Sequence, residues 1–149
     1  MAKRGTHQPR RRYYFYLNPY RDAGFTRCPK CENKTNVRKF PLAIHIEPRQ
    51  LFVVNKICPY CTRCELIIAK KSELEAMMAT GLGPSRPEIV GNDYFVFGVL
   101  ERKDWLQSKK GKLSDPEAVE RAIVFKDVLN FKPVGGWVYD PEAATSKRR

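Results

Sequence analysis

The chain has 149 residues, 42% of them apolar and 11% aromatic, enough for one folded domain with a real core or one small domain with an appendage. No apolar run reaches the ~18 residues of a membrane helix, and no hydrophobic stretch of signal-peptide type follows the charges of "MAKRGTHQPRRR", so a soluble, cytoplasmic protein is expected. The net charge is +12, yet eight of those charges sit in residues 1–12 and 147–149, which leaves the body at +4 (20 basic against 16 acidic). Basic arms of this kind contact nucleic acid through phosphates, with little sequence information; tails that only keep the protein soluble are the alternative.

Taken in chain order, residues 1–12 read as a disordered basic arm. "YYFYLNPY" has the β-rich composition of a short strand over 13–17, closed by the turn "NPYRDAG". Its rings read first as core; a platform for stacking single-stranded bases is the other use of such a run. In "PLAIHIEPRQLFVVNKI", Leu42, Ile44 and Ile46 alternate with Ala43, His45 and Glu47, so this stretch reads as a β-hairpin turning at "EPRQ". His45 falls on the polar face, where an exposed or hydrogen-bonded histidine is expected before a ligand. "ELIIAKK" reads as a further strand and "SELEAMMATG" as a short helix, with Ser72 and Glu75 as a capping box and Gly81 at its end. "GLGPSRPE" is the natural boundary before a C-terminal half. There "NDYFVFGVLERKDW" reads as a strand. "SDPEAVERAIVFKDVL" reads as a helix capped by Ser114 or Asp115, although the β-rich "IVFKDVLNF" makes its end ambiguous. Gly135 and Gly136 precede a last aromatic strand.

Five cysteines without a secretory signal point to thiolates on a metal and away from a disulfide framework. "CPKC" at 28–31 and "CPYC" at 58–61 are two C-P-x-C units at either end of the expected hairpin. Each can turn tightly enough to bring two sulfurs to one ion, and four thiolates make a closed tetrahedral site. Cys28, Cys31, Cys58 and Cys61 are therefore the expected ligands. Cys64, in "CTRC" without the proline, is a neighbouring thiol, either simply packed or the alternative ligand; nearby Lys30, Lys56 and Arg63 would also suit a redox-sensitive thiol.

This pair of units resembles the zinc ribbon superfamily over roughly residues 25–70. The resemblance implies knuckles on β-hairpins holding one structural zinc ion. It departs from the commonest ribbon pattern, where glycine often follows the second cysteine: Glu32 and Thr62 stand in those places. The arrangement also resembles rubredoxin, which implies iron and electron transfer. A ferredoxin-type cluster lacks its continuing C-x3-C. Zinc-deaminase chemistry fails on the placement of proline around Cys58 and would leave "CPKC" without a role. A closed four-thiolate shell has no open coordination position, and no P-loop, G-x-S-x-G or H-E-x-x-H motif occurs.

The expected fold class is α+β: a zinc β-ribbon domain over 13–82 with short helices, a small C-terminal α+β extension over 83–146, and a basic tail at 147–149. The expected function is non-enzymatic: a structural zinc ion, and contact with RNA or DNA phosphates through Arg10, Arg11, Arg12, Lys30, Lys34, Arg38 and Lys39. The rivals are a zinc ribbon that docks onto a larger protein assembly and an iron electron carrier. Neither membrane nor small-molecule substrate is expected.

Overall fold

The computed structural model describes residues 10–133 and 137–139. The arm residues 1–9, Gly135 and Gly136, and the tail at 147–149 lie outside them.

Strands β1 (Arg10–Arg11), β2 (Tyr14–Asn18), β3 (Asn36–Ile46), β4 (Gln50–Cys61) and β5 (Leu66–Lys70) precede helix α1 (Lys71–Leu82) and a 3-10 turn at Pro87–Ile89. Strand β6 (Tyr94–Val99), helices α2 (Arg102–Lys109) and α3 (Asp115–Arg121), then β7 (Ile123–Val124) and β8 (Asp127–Leu129) follow. These eight strands form one mixed sheet in the order β1-β7-β6-β3-β4-β5-β2-β8. A separate hairpin joins β9 (Phe131–Pro133) to β10 (Trp137–Tyr139).

The expectation of a small zinc ribbon carrying a C-terminal extension is thereby corrected. β3 lies between β4 and β6, so residues on both sides of the Gly83 connector share one sheet. The cause is the length of the hairpin. β3 and β4 stay paired from Ile46↔Gln50 out to Asn36↔Tyr60, giving long ladders on which β6 and β5 add on either side.

The two ends of the strand order also meet. β1 and β2 follow one another in the chain, as do β7 and β8, and the parallel pairs Arg10↔Ile123 and Tyr14↔Asp127 keep one register across both. Arg12 N–H donates to the Val124 carbonyl and Lys126 N–H to that of Tyr13, bridging the interval between the two ladders. β7 pairs on its other side with β6, through Val99↔Ile123 and Gly98↔Val124. Gly98 is needed for that approach, because an added Cβ would fall on the Ile123 carbonyl oxygen. The sheet is thus curled, with its edges joined along a short seam.

Alternation along the strands then separates two faces. Phe15, Leu42, Ile44, Ile46, Cys58 and Ile67 share one buried cluster with Leu74, Met78 and Leu82 of α1. Tyr16, Cys28, Cys61, Leu66 and Ile68 belong to a second cluster on the opposite face. α2 and α3 cover the far end of that face, over Leu51, Val53 and Phe97.

Local readings also shift. α1 starts at Lys71 with no side-chain cap, so Ser72 lies inside it and does not form the expected box. Ser114 does cap α3, with the reciprocal Glu117 contact, but that helix stops at Arg121 and "IVFKDVL" becomes strand because it carries the seam. The stretch "RKDWLQSK" is helical and extends no strand. The rings of "YYFY" are packed: Phe15 and Tyr16 are essentially inaccessible, on opposite faces.

Candidate metal centre

The sulfurs of Cys28, Cys31, Cys61 and Cys64 converge, all within 4.8 Å of one another, and those of Cys31 and Cys61 are 3.6 Å apart. With metal–sulfur bonds near 2.3 Å, the edge of a four-thiolate tetrahedron is about 3.8 Å, so small side-chain adjustments close the shell. The donor set is soft and includes no carboxylate, which fits zinc or iron and not magnesium or calcium.

Cys58 is the sequence expectation that this geometry corrects. The proline of "CPYC" predicts a turn, but the chain stays extended through Cys61. Residues 58 and 61 are an odd number of positions apart, so they project to opposite faces of the strand. Cys58 lies beside Tyr60 in the α1-side core, where its Sγ donates to the Lys56 carbonyl at 3.6 Å. Burial pushes its thiol up to about 12, the opposite of what a ligand needs. The chain turns only after Cys61, at Thr62–Glu65, and then pairs back through Cys61↔Leu66. "CTRC" is therefore the second candidate ligand turn, with Cys64 as a ligand candidate where Cys58 was expected.

The two ligand turns share a geometry that their sequences conceal. At the first, Lys30 N–H points at Cys28 Sγ at 3.3 Å, and Glu32 N–H closes the turn onto the Cys28 carbonyl. At the second, Cys64 N–H points at Cys61 Sγ, also at 3.3 Å. The residue after each second cysteine is left-handed: Glu32 has φ 66° and Glu65 has φ 56°. That is the glycine-favouring conformation, occupied twice by glutamate. The shared sequence unit is thus C-x2-C-E and not C-P-x-C. The recurrence of "CE" at 31–32 and 64–65 was the available cue.

Proton affinities within the cluster are uneven. The backbone N–H of Asn33, with help from the neighbouring sulfurs, holds the Cys31 thiol down at about 7. Burial raises Cys28 against the N–H groups of Cys31 and Lys30, and burial with the adjacent thiols raises Cys64. A dication binding here would replace protons on all four sulfurs.

The expected phosphate contacts divide. Arg10 pairs with Glu101 at 3.3 Å and Arg12 with Glu65 at 2.7 Å, so two cations of the arm are engaged with the folded body. Arg11, Lys30, Lys34, Arg38 and Lys39 are exposed, with no ion pair among the described residues. Lys30 lies 4.9 Å over the Tyr14 ring, and Arg38 covers Phe40 and Tyr60. His45 is outside the cysteine cluster; its Nδ1 is buried without a partner and its ring leans on Phe95.

Comparison with protein families, with curated proteins and with solved structures finds no match for this chain. The four-cysteine cluster is compatible with a zinc-ribbon-like site. No helix among the described residues is long and apolar enough to cross a membrane.

Proposed function

We propose that this is a non-enzymatic zinc protein in which Cys28, Cys31, Cys61 and Cys64 hold one structural ion and the basic surface around the centre contacts RNA or DNA phosphates. The convergence of four thiols from two turns of like geometry carries the metal assignment. Zinc when bound supplies cross-linking only, since four protein sulfurs leave no coordination position for a substrate. The chain's own residues do the rest: Lys30 sits in the first ligand turn and Lys34 and Lys39 stand nearby in sequence, exposed and without carboxylate partners.

The measurement is metal content of the purified protein, followed by binding of an RNA and a DNA duplex across a salt series. One zinc per chain and a linear fall of log affinity with log salt are expected. A coloured protein containing iron would overturn the zinc assignment, and no binding at low salt would overturn the nucleic-acid assignment. A protein-docking reading has its own support in Val37 and Ile57, 66% and 54% exposed on neighbouring strands. Capture of a protein that survives nuclease and high salt would favour it.

A further inference from the structure

The seam that joins the edges of the sheet is only partly closed. β7 pairs with β6 at Gly98 and Val99, and Phe125 N–H reaches the Phe97 carbonyl. Below that point the two edges part. Tyr94–Val96 has β3 on one side and no strand on the other among the described residues, and Asp127–Leu129 likewise has only β2. Between them opens a cleft of about 620 Å³, within the range of small-ligand sites.

The walls of this cleft are specific in three ways. Its body is aromatic: Phe15 and Phe125, stacked 4.9 Å apart, line it together with Phe95 and Phe97. Phe95 is 47% exposed and stands in a row with His45 at 5.2 Å and Phe97 at 6.3 Å, which a further flat ring can extend. Its flanks are strand edges, whose outward N–H and C=O groups favour an occupant with donors and acceptors around a flat rim; an alkyl chain would leave them unpaired. Its charge is positive. Arg11 and Lys126 line it, while its one carboxylate, Asp127, already accepts the Val128 N–H. An aromatic, hydrogen-bonding, anionic occupant answers all three.

We propose that this seam cleft binds a nucleobase of a phosphorylated nucleotide, the ring stacking against Phe95 and the phosphate meeting Arg11 and Lys126. A free nucleotide and an unpaired residue of a single strand present the same chemistry. For the second source the proposal deepens the nucleic-acid reading above and rests on it.

The test uses the full metal-loaded chain and two probes: a single-stranded oligonucleotide carrying one 2-aminopurine, and 2-aminopurine riboside monophosphate. A duplex of the same length is the control. The expected result is quenching of the single-stranded probe on binding, and a loss on the order of 10- to 100-fold in its affinity for Phe95→Ala, with duplex binding unchanged. Phe95 is half exposed, so this variant should keep its metal and its circular dichroism. Lys126→Gln, also on an exposed side chain, should lower the salt slope for the single strand by about one unit. Salt-dependent binding that neither substitution alters, without quenching, would overturn the cleft proposal and leave the phosphate reading standing. Quenching of the monophosphate in a Phe95-dependent manner, with no binding of either oligonucleotide, would support the cleft and overturn the nucleic-acid reading. No binding of any probe would overturn both.

Discussion

The two ligand turns reach the same geometry from opposite supports. Cys28 and Cys31 sit on a small hairpin outside the sheet, closed by the isolated bridge Arg27↔Lys34 and by local hydrogen bonds, among them Cys28 N–H to the Asn33 carbonyl and Thr35 N–H to that of Thr26. Cys61 and Cys64 sit where β4 turns into β5, so their turn is fixed by ladders that continue into the core. A metal ion would therefore do unequal work on the two sides. It would fasten a hairpin held only by local hydrogen bonds and by Phe25 packing to a framework that the sheet ladders already hold.

The largest expected effect follows from that inequality. Cys28→Ser, Cys31→Ser, Cys61→Ser and Cys64→Ser should each lower metal affinity by more than the 10- to 100-fold typical of losing an outer-shell partner, whereas Cys58→Ser should keep the metal. Chelation should then raise amide exchange over residues 25–35 and leave the β3–β4 ladder protected, read by hydrogen exchange with mass spectrometry. Equal loss of protection in both places would break the comparison, because the ion would then hold the sheet as well.

Cys58→Ser has a separate cost. A hydroxyl replaces a thiol that is fully buried between Lys56 and Tyr60, and about 1–3 kcal/mol of stability should be lost in urea unfolding with full metal content retained. That pair of results, destabilised yet loaded, separates a packed cysteine from a ligand.

The strand that leads into the second turn is also tied electrostatically to α1. Lys56 on β4 is buried, and its Nζ meets Glu73 of α1 at 2.7 Å. The hydrogen bond from Lys56 holds the Glu73 carboxyl below its ordinary value of 4.5. Because the folded value is the lower one, the contribution is present above about pH 4.5 and fades as the pH falls through the folded value. Glu73→Gln should cost about 1 kcal/mol at pH 7, kept modest by an acid that is 57% exposed. The difference from the unaltered chain should narrow on acidification. A pH-independent difference would assign the effect to packing.

What the sequence disclosed of this site depended on period and on punctuation. Cys28, Cys31 and Cys61, three of the four clustered cysteines, and the intervening hairpin were legible, because C-x2-C spacing and the alternation of Leu42, Ile44 and Ile46 are local. The choice between Cys58 and Cys64 was not, since it turns on where β4 ends. Proline at 59 suggested a turn, yet it lies within the β4 ladder opposite Val37. The seam was hidden for a similar reason. "IVFKDVL" continues a helical stripe from Ala118, and pairing with β6 and with β1 and β2, the latter two more than a hundred positions away, turns it into strand.

The smallest effect compares the turns most directly. Glu32 and Glu65 both occupy a left-handed conformation that costs a non-glycine residue about 1 kcal/mol, and glycine relieves it. Glu32 offers its carbonyl to Arg27, a contact that glycine preserves, so Glu32→Gly should raise stability by about 0.5–1 kcal/mol. At Glu65 the same change also removes the carboxylate that takes two hydrogen bonds from Arg12, at 2.7 and 2.9 Å, and the net effect should be near zero. In an Arg12→Ala background that difference should vanish, and the two glycine substitutions should give equal gains in urea unfolding of the metal-loaded protein. A persistent gap would mean that the turns differ in strain as well as in what surrounds them.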